Sequence, residues 1–165
     1  MAGAALLLLG RWLPPARAAD SNGAKESTFA YLTAADAAML VRIVPIMLYG
    51  ALPKEPGQFN AAVGDILRGI DVTIGHQALS VRGEIRDLFG VLTKTITRSL
   101  IAGIWTSWDK ATDQDIRDFL ASWRDSRFDT LRTGYIGLNN LIVDSWYGNP
   151  KSWARIGYDG PPAIA

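Results

Sequence analysis

Apolar residues recur along this chain at three- and four-residue steps, and nowhere is there a sustained period-2 run of the kind a strand needs. Thr33 stands before Ala34, Ala35 and Asp36, the pattern of a helix N-cap with an acidic residue in the first turn. Met39, Leu40, Ile43 and Val44 follow at helical spacing, and Pro45 kinks or ends that helix. Two prolines and a glycine make Ala51 to Gly57 a loop. A second stripe runs Phe59, Val63, Ile66, Ile70 and Ile74. The third is Val81, Ile85, Leu88, Leu92 and Ile96, with Ser80 as its cap; it either breaks near Gly90 or continues to Leu100 and Ile104. Thr112 caps the fourth, with Asp113 and Asp115 in its first turn. Ile116, Phe119, Leu120 and Trp123 form its apolar face, and Asp113 can pair with Arg117 on its wet face. The fifth and longest is Phe128, Leu131, Tyr135, Leu138, Ile142 and Trp146, stopped by Gly148 and Pro150. The pattern predicts an all-α fold, an irregular bundle of about five helices.

Both ends depart from this pattern. Residues 2–10 (AGAALLLLG) are almost wholly apolar and too short to span a bilayer, which takes roughly 20 residues. Arg11, Pro14 and Pro15 follow, then Ala16-Arg17-Ala18, which fits the small-x-small rule for signal peptidase with cleavage before Ala19. No basic segment precedes the apolar run, as though the leader were truncated. The chain thus divides into a signal peptide (1–18), a polar lead-in (19–29), a helical domain (30–147) and an extended arm (148–165). In the arm, Trp153, Ile156 and Tyr158 are apolar anchors, while Gly157, Gly160, Pro161 and Pro162 keep the backbone from regular structure. Its aromatics must be covered either by the bundle or by a partner, and the residues alone divide these evenly.

Composition then narrows the chemistry. The 165 residues are 48% hydrophobic and 20% charged, enough for one domain with a real core. The net charge is +1, and removing residues 1–18 takes Arg11 and Arg17 to leave −1. Without a basic surplus the chain is no general nucleic-acid binder. Cysteine is absent, which excludes disulfides, thiolate metal sites, iron–sulfur clusters and covalent c-type haem. The single histidine, His76, and three glutamates are too few for a ferritin-like di-metal site. His76 ends the second stripe, where a cation suits the last carbonyls, and no G-x-S-x-G elbow accompanies it. Gly64, Gly69 and Gly75 form no dinucleotide fingerprint and mark close helix packing instead. Thirteen aspartates leave a carboxylate-only acid/base pair open, but no spacing singles one out. Trp123 and Trp146 fit a core role; Trp105 and Trp108 flank a break and either cap the bundle or face a partner.

From Ala111 to Pro162 the chain resembles the C-terminal half of the gluconate 2-dehydrogenase subunit 3 family. The resemblance rests on Trp123 and Ser126, on Trp146-Tyr147-Gly148, on Trp153, and on the closing Ile156-Gly157-Tyr158-Asp159-Gly160-Pro161. Leu32-Thr33-Ala34-Ala35-Asp36 with Pro45 matches the family's start, whereas residues 59–104 carry no matching motif. The resemblance implies a small, non-catalytic and cofactor-free periplasmic subunit, with no stable membrane anchor, that assists folding and export of its partner. That partner is a large FAD-containing dehydrogenase of the glucose–methanol–choline type, with a c-type cytochrome as a further subunit. It also implies a twin-arginine leader, and no Arg-Arg pair precedes the apolar run. Partner contacts are expected at Trp146, Tyr147, Trp153, Ile156, Tyr158 and Pro161. A stand-alone exported helical binding or structural protein is the alternative the residues leave open.

Overall fold

The first helix, α1 (Ala34–Met47), opens on a reciprocal cap. Thr33 Oγ1 accepts from the Asp36 amide at 3.2 Å, and the Asp36 carboxylate accepts from the Thr33 amide at 2.9 Å. The computed structural model describes residues 29–160, apart from the side chains of Ile96, Leu100 and Ile156. The leader and its cleavage site lie outside the described residues. Pro45 does not end α1, which runs two residues further.

Four more long helices follow: α2 (Pro56–His76), α3 (Leu79–Thr93), α5 (Asp113–Arg124) and α6 (Asp129–Tyr147). Between α3 and α5 lie one turn, α4 (Thr95–Thr97), and a π-helical turn over Arg98–Ala102. A four-residue helix, α7 (Pro150–Trp153), follows α6. The described residues contain no strand, so the fold is the expected all-α irregular bundle with five long helices.

α1 is the hub, packing on α2, α3, α5 and α6. Its Met39, Leu40, Ile43 and Val44 are all fully buried. Each contributes roughly 1.5–3 kcal/mol by leaving water. The most extensive interface joins α2 and α6, which run antiparallel, since Gly69 meets Ser145 while Asp65 reaches Lys151 just beyond α6. A Cβ on Gly69 would stand 3.0 Å from Ser145 Cβ, so glycine lets these helices approach. Gly75 instead makes room for the Tyr31 ring, and Gly64 faces only Arg68 of its own helix.

Several boundaries differ from the sequence pattern, each for a local reason. Helix α2 begins at Pro56, inside the expected loop, because proline suits the first helical position. Glu55 caps it, accepting from the amides of Gly57 at 3.1 Å and Gln58 at 2.7 Å; these bonds hold its carboxyl below the usual range. Ser80 is not the α3 cap: the helix starts at Leu79 after Ala78, with no side-chain cap bond. Gly90 does not break α3, which ends at Thr93. Asp113 pairs with Arg42 of α1 at 3.1 Å rather than with Arg117, so it ties two helices together.

Where α3 and the π turn stop, their last carbonyls lack helical partners. Two indoles supply them. Trp108 Nε1 donates to Leu92 O at 2.9 Å and Trp123 Nε1 donates to Ile101 O at 3.1 Å. Phe119 meets both rings edge-on, at 5.9 Å and 5.0 Å between centroids. Trp108 is therefore core, whereas Trp105 is 74% exposed.

Candidate functional site

The C-terminal arm is the segment for which the sequence predicts a functional surface, and it is not extended throughout. Gly148 keeps right-handed helical dihedrals (φ −71°, ψ −13°) and does not act as a left-handed stop. Asn149 then accepts from the Lys151 amide at 3.0 Å and caps α7, with Pro150 at its first position. Residues Ala154–Ile156 continue as a 3-10 turn that Gly157 ends at φ +68°. Prolines and glycines thus bound a short helical hook instead of forbidding one.

The hook is pinned to the bundle at two places, through Lys151 and Arg155. Lys151 Nζ reaches Asp65 at 2.8 Å, and Arg68 meets the same carboxylate at 2.5 Å. The Lys151 bond, opposed by partial burial and aided by Arg68, holds the Asp65 carboxyl below its ordinary value of 3.8. Arg155 donates to the carbonyls of Ala51 and Leu52 in the loop between α1 and α2. Ser152 is fully buried and donates to Asn149 O at 2.8 Å. Sequence reading missed Lys151 and Arg155, because their partners lie 86 and about 104 residues away and leave no local signal.

The six expected contact residues separate accordingly. Trp146 is 2% exposed and belongs to the core, with no face left for a partner. Trp153 Nε1 donates to Tyr147 O at 2.8 Å, and its ring meets Tyr158 edge-on at 5.4 Å. Tyr147 and Tyr158 flank it and remain 41% and 46% exposed. Ile156 ends the 3-10 turn, and Pro161 lies outside the described residues. The structure therefore pairs the Trp153 and Tyr158 rings and ties the Trp153 indole to the Tyr147 carbonyl, with both tyrosines partly exposed.

His76 has a local role: its Nδ1 lies 2.9 Å from Val72 O, one turn back in α2. Among the described residues no group of three or more His, Asp or Glu side chains is placed to hold a metal ion. None of the described helices is long and apolar enough to cross a membrane. No protein-family model, curated protein or solved structure matches this chain.

Proposed function

We propose that this protein is the non-catalytic, cofactor-free small subunit of an exported flavoprotein dehydrogenase complex. It is processed after Ala18, resides in the periplasm and steadies a large FAD-containing partner during folding and export. The observation that carries this reading is the Trp153–Tyr158 ring pair, tied to the Tyr147 carbonyl and built from residues that carry the family resemblance. Tyrosine and tryptophan suit a wet-rimmed interface, having large apolar bodies and one polar tip each. Trp153 also supports the hook itself, through its bond to Tyr147 O and its contact with Tyr158. Tyr158 is the cleaner probe of docking.

The test is co-purification of the tagged mature protein with its flavoprotein from native periplasm. A hot-spot truncation costs about 2 kcal/mol of binding or more, so Tyr158→Ala weakens the complex by roughly 30-fold. The melting temperature of the free subunit changes little. A variant that binds normally, or a wild-type protein that brings down no flavin-containing chain, would overturn the reading.

A further inference from the structure

A cavity of about 310 Å³ opens where the start of α1, the end of α2 and one face of α3 converge. Ile74, Ile85 and Phe89 form its apolar wall, and Gly90 leaves one side unfilled, since a Cβ there would meet nothing within 4 Å. Two guanidinium groups, Arg82 and Arg86, line the same cavity. They differ in what they already hold. Arg82 donates through Nε to Gln77 O at 2.9 Å and through Nη2 to Gly75 O, and it lies over the Tyr31 ring at 5.2 Å. Arg86 makes a single long bond, 3.3 Å to Tyr31 O, and no carboxylate among the described residues pairs with it. The one lining carboxylate, Asp36, is already engaged by the Thr33 amide at 2.9 Å and the Thr33 hydroxyl at 2.7 Å.

We propose that this cavity binds a small amphipathic monocarboxylate, with its apolar body against Ile74, Ile85 and Phe89 and its carboxylate on Arg86. The chemistry follows from the lining. Ile74, Ile85 and Phe89 admit a hydrocarbon body, and the polar lining groups of Thr33, Asp36, Arg82 and Thr93 are already hydrogen-bonded within the protein, which leaves a polyhydroxylated body few partners. A guanidinium fork whose hydrogen bonds are mostly unspent matches a carboxylate in both charge and geometry. Arg82, held by two carbonyls and the Tyr31 ring, keeps a second positive charge beside it without needing the ligand. The site stands apart from the arm and does not depend on the proposed dehydrogenase partner.

The experiment titrates the isotope-labelled full chain with 3-phenylpropionate and follows backbone amide shifts. A ligand of this size in a cavity at the small end of the usual range has a dissociation constant on the order of 1 mM. Saturable shifts are expected at residues 31–36 and 82–93. The neutral 3-phenylpropanol and the cationic 3-phenylpropylamine bind about tenfold more weakly or worse, because neither offers Arg86 a charge-assisted bond. Arg86→Gln weakens binding of the acid by about tenfold, while Gly90→Leu abolishes it by filling the space and leaves the melting temperature unchanged or higher. No saturation, equal binding of the alcohol, or undiminished binding to either folded variant would overturn the proposal.

Discussion

Asp71 accepts three consecutive backbone N–H groups, from Ala30 at 2.9 Å and from Tyr31 and Leu32 at 2.8 Å each. It is 8% exposed, and the segment leading into α1 is anchored on α2 through this one carboxylate. No motif announced it. An aspartate inside an apolar helical stripe looks like a surface residue until a segment 40 residues earlier supplies the donors. The two capping residues Thr33 and Thr112, by contrast, were legible, because their partners stand three positions away in the chain. Asp71→Asn keeps one acceptor oxygen but turns an amide NH2 toward a backbone N–H. The variant is expected to lose about 1.5–3 kcal/mol, a charge-assisted bond replaced by a donor facing a donor. That lowers the melting temperature by roughly 3–12 °C for a domain of this size. A melting curve superimposable on wild type would mean the clamp carries no net stability.

At the scale of elements, the stripe of α5 and the second half of that of α6 were readable because helix period and burial coincide there, whereas Phe128 stands before α6 and is exposed. Ile116, Phe119, Leu120 and Trp123 are all core, as are Leu138, Ile142 and Trp146. The α3 stripe was less so: of its expected positions from Val81 to Leu92 only Leu92 is fully buried, joined by Phe89, which lies one step off the pattern. That helix packs on α1, α2 and the π turn over a narrow strip, lines the cavity beside it and leaves Leu79, Glu84 and Asp87 exposed. Two glycines separate packing from propensity. A Cβ on Gly134 would stand 2.8 Å from the Trp123 ring, whereas one on Gly90 meets nothing. Gly134→Ala gains about 1 kcal/mol of helix propensity and loses about 1–3 kcal/mol to overpacking, so it should destabilise in urea unfolding. Gly90→Ala keeps only the gain and should stabilise by about 0.5–1 kcal/mol.

Between α2 and α7, the Asp65–Lys151 contact gives the arm a pH signature. The folded-state pKa of Asp65 lies below its unfolded value, so its contribution is complete above the ordinary value of 3.8 and is lost as pH falls through the folded value. Lys151 is three-quarters exposed, and solvent screening keeps the contribution within about 1 kcal/mol. Wild type should therefore melt a few degrees above Asp65→Asn at pH 7, with the gap closing in acid below the usual carboxylate range. A gap that persists or widens there would assign the difference to something other than the ion pair.

Across the whole molecule, stability is distributed unevenly, and that distribution bears on function. The bundle is held by fully buried residues on α1 together with the long α2–α6 interface. Among its described side chains, the hook from Asn149 to Tyr158 is held mainly by polar contacts at the surface, through Lys151, Arg155 and the Trp153 indole, and only Ser152 is fully buried. Segments with few buried apolar contacts open at lower free energy than the core they sit on. Native-state hydrogen exchange on the free protein should thus show the amides of Ser152 and Tyr158, bonded to Asn149 O and Trp153 O, exchanging through a local opening well below the global unfolding free energy. The amides of α1 and the middle of α2 should exchange only on global unfolding. A partner that docks on Tyr147 and Tyr158 must first hold the hook closed, so its binding raises protection in residues 149–158 and leaves the α1 core amides unchanged. Hook amides as slow as those of α1 in the free protein would mean that the arm is part of one cooperative unit, and that its aromatic surface is as rigid before binding as after it.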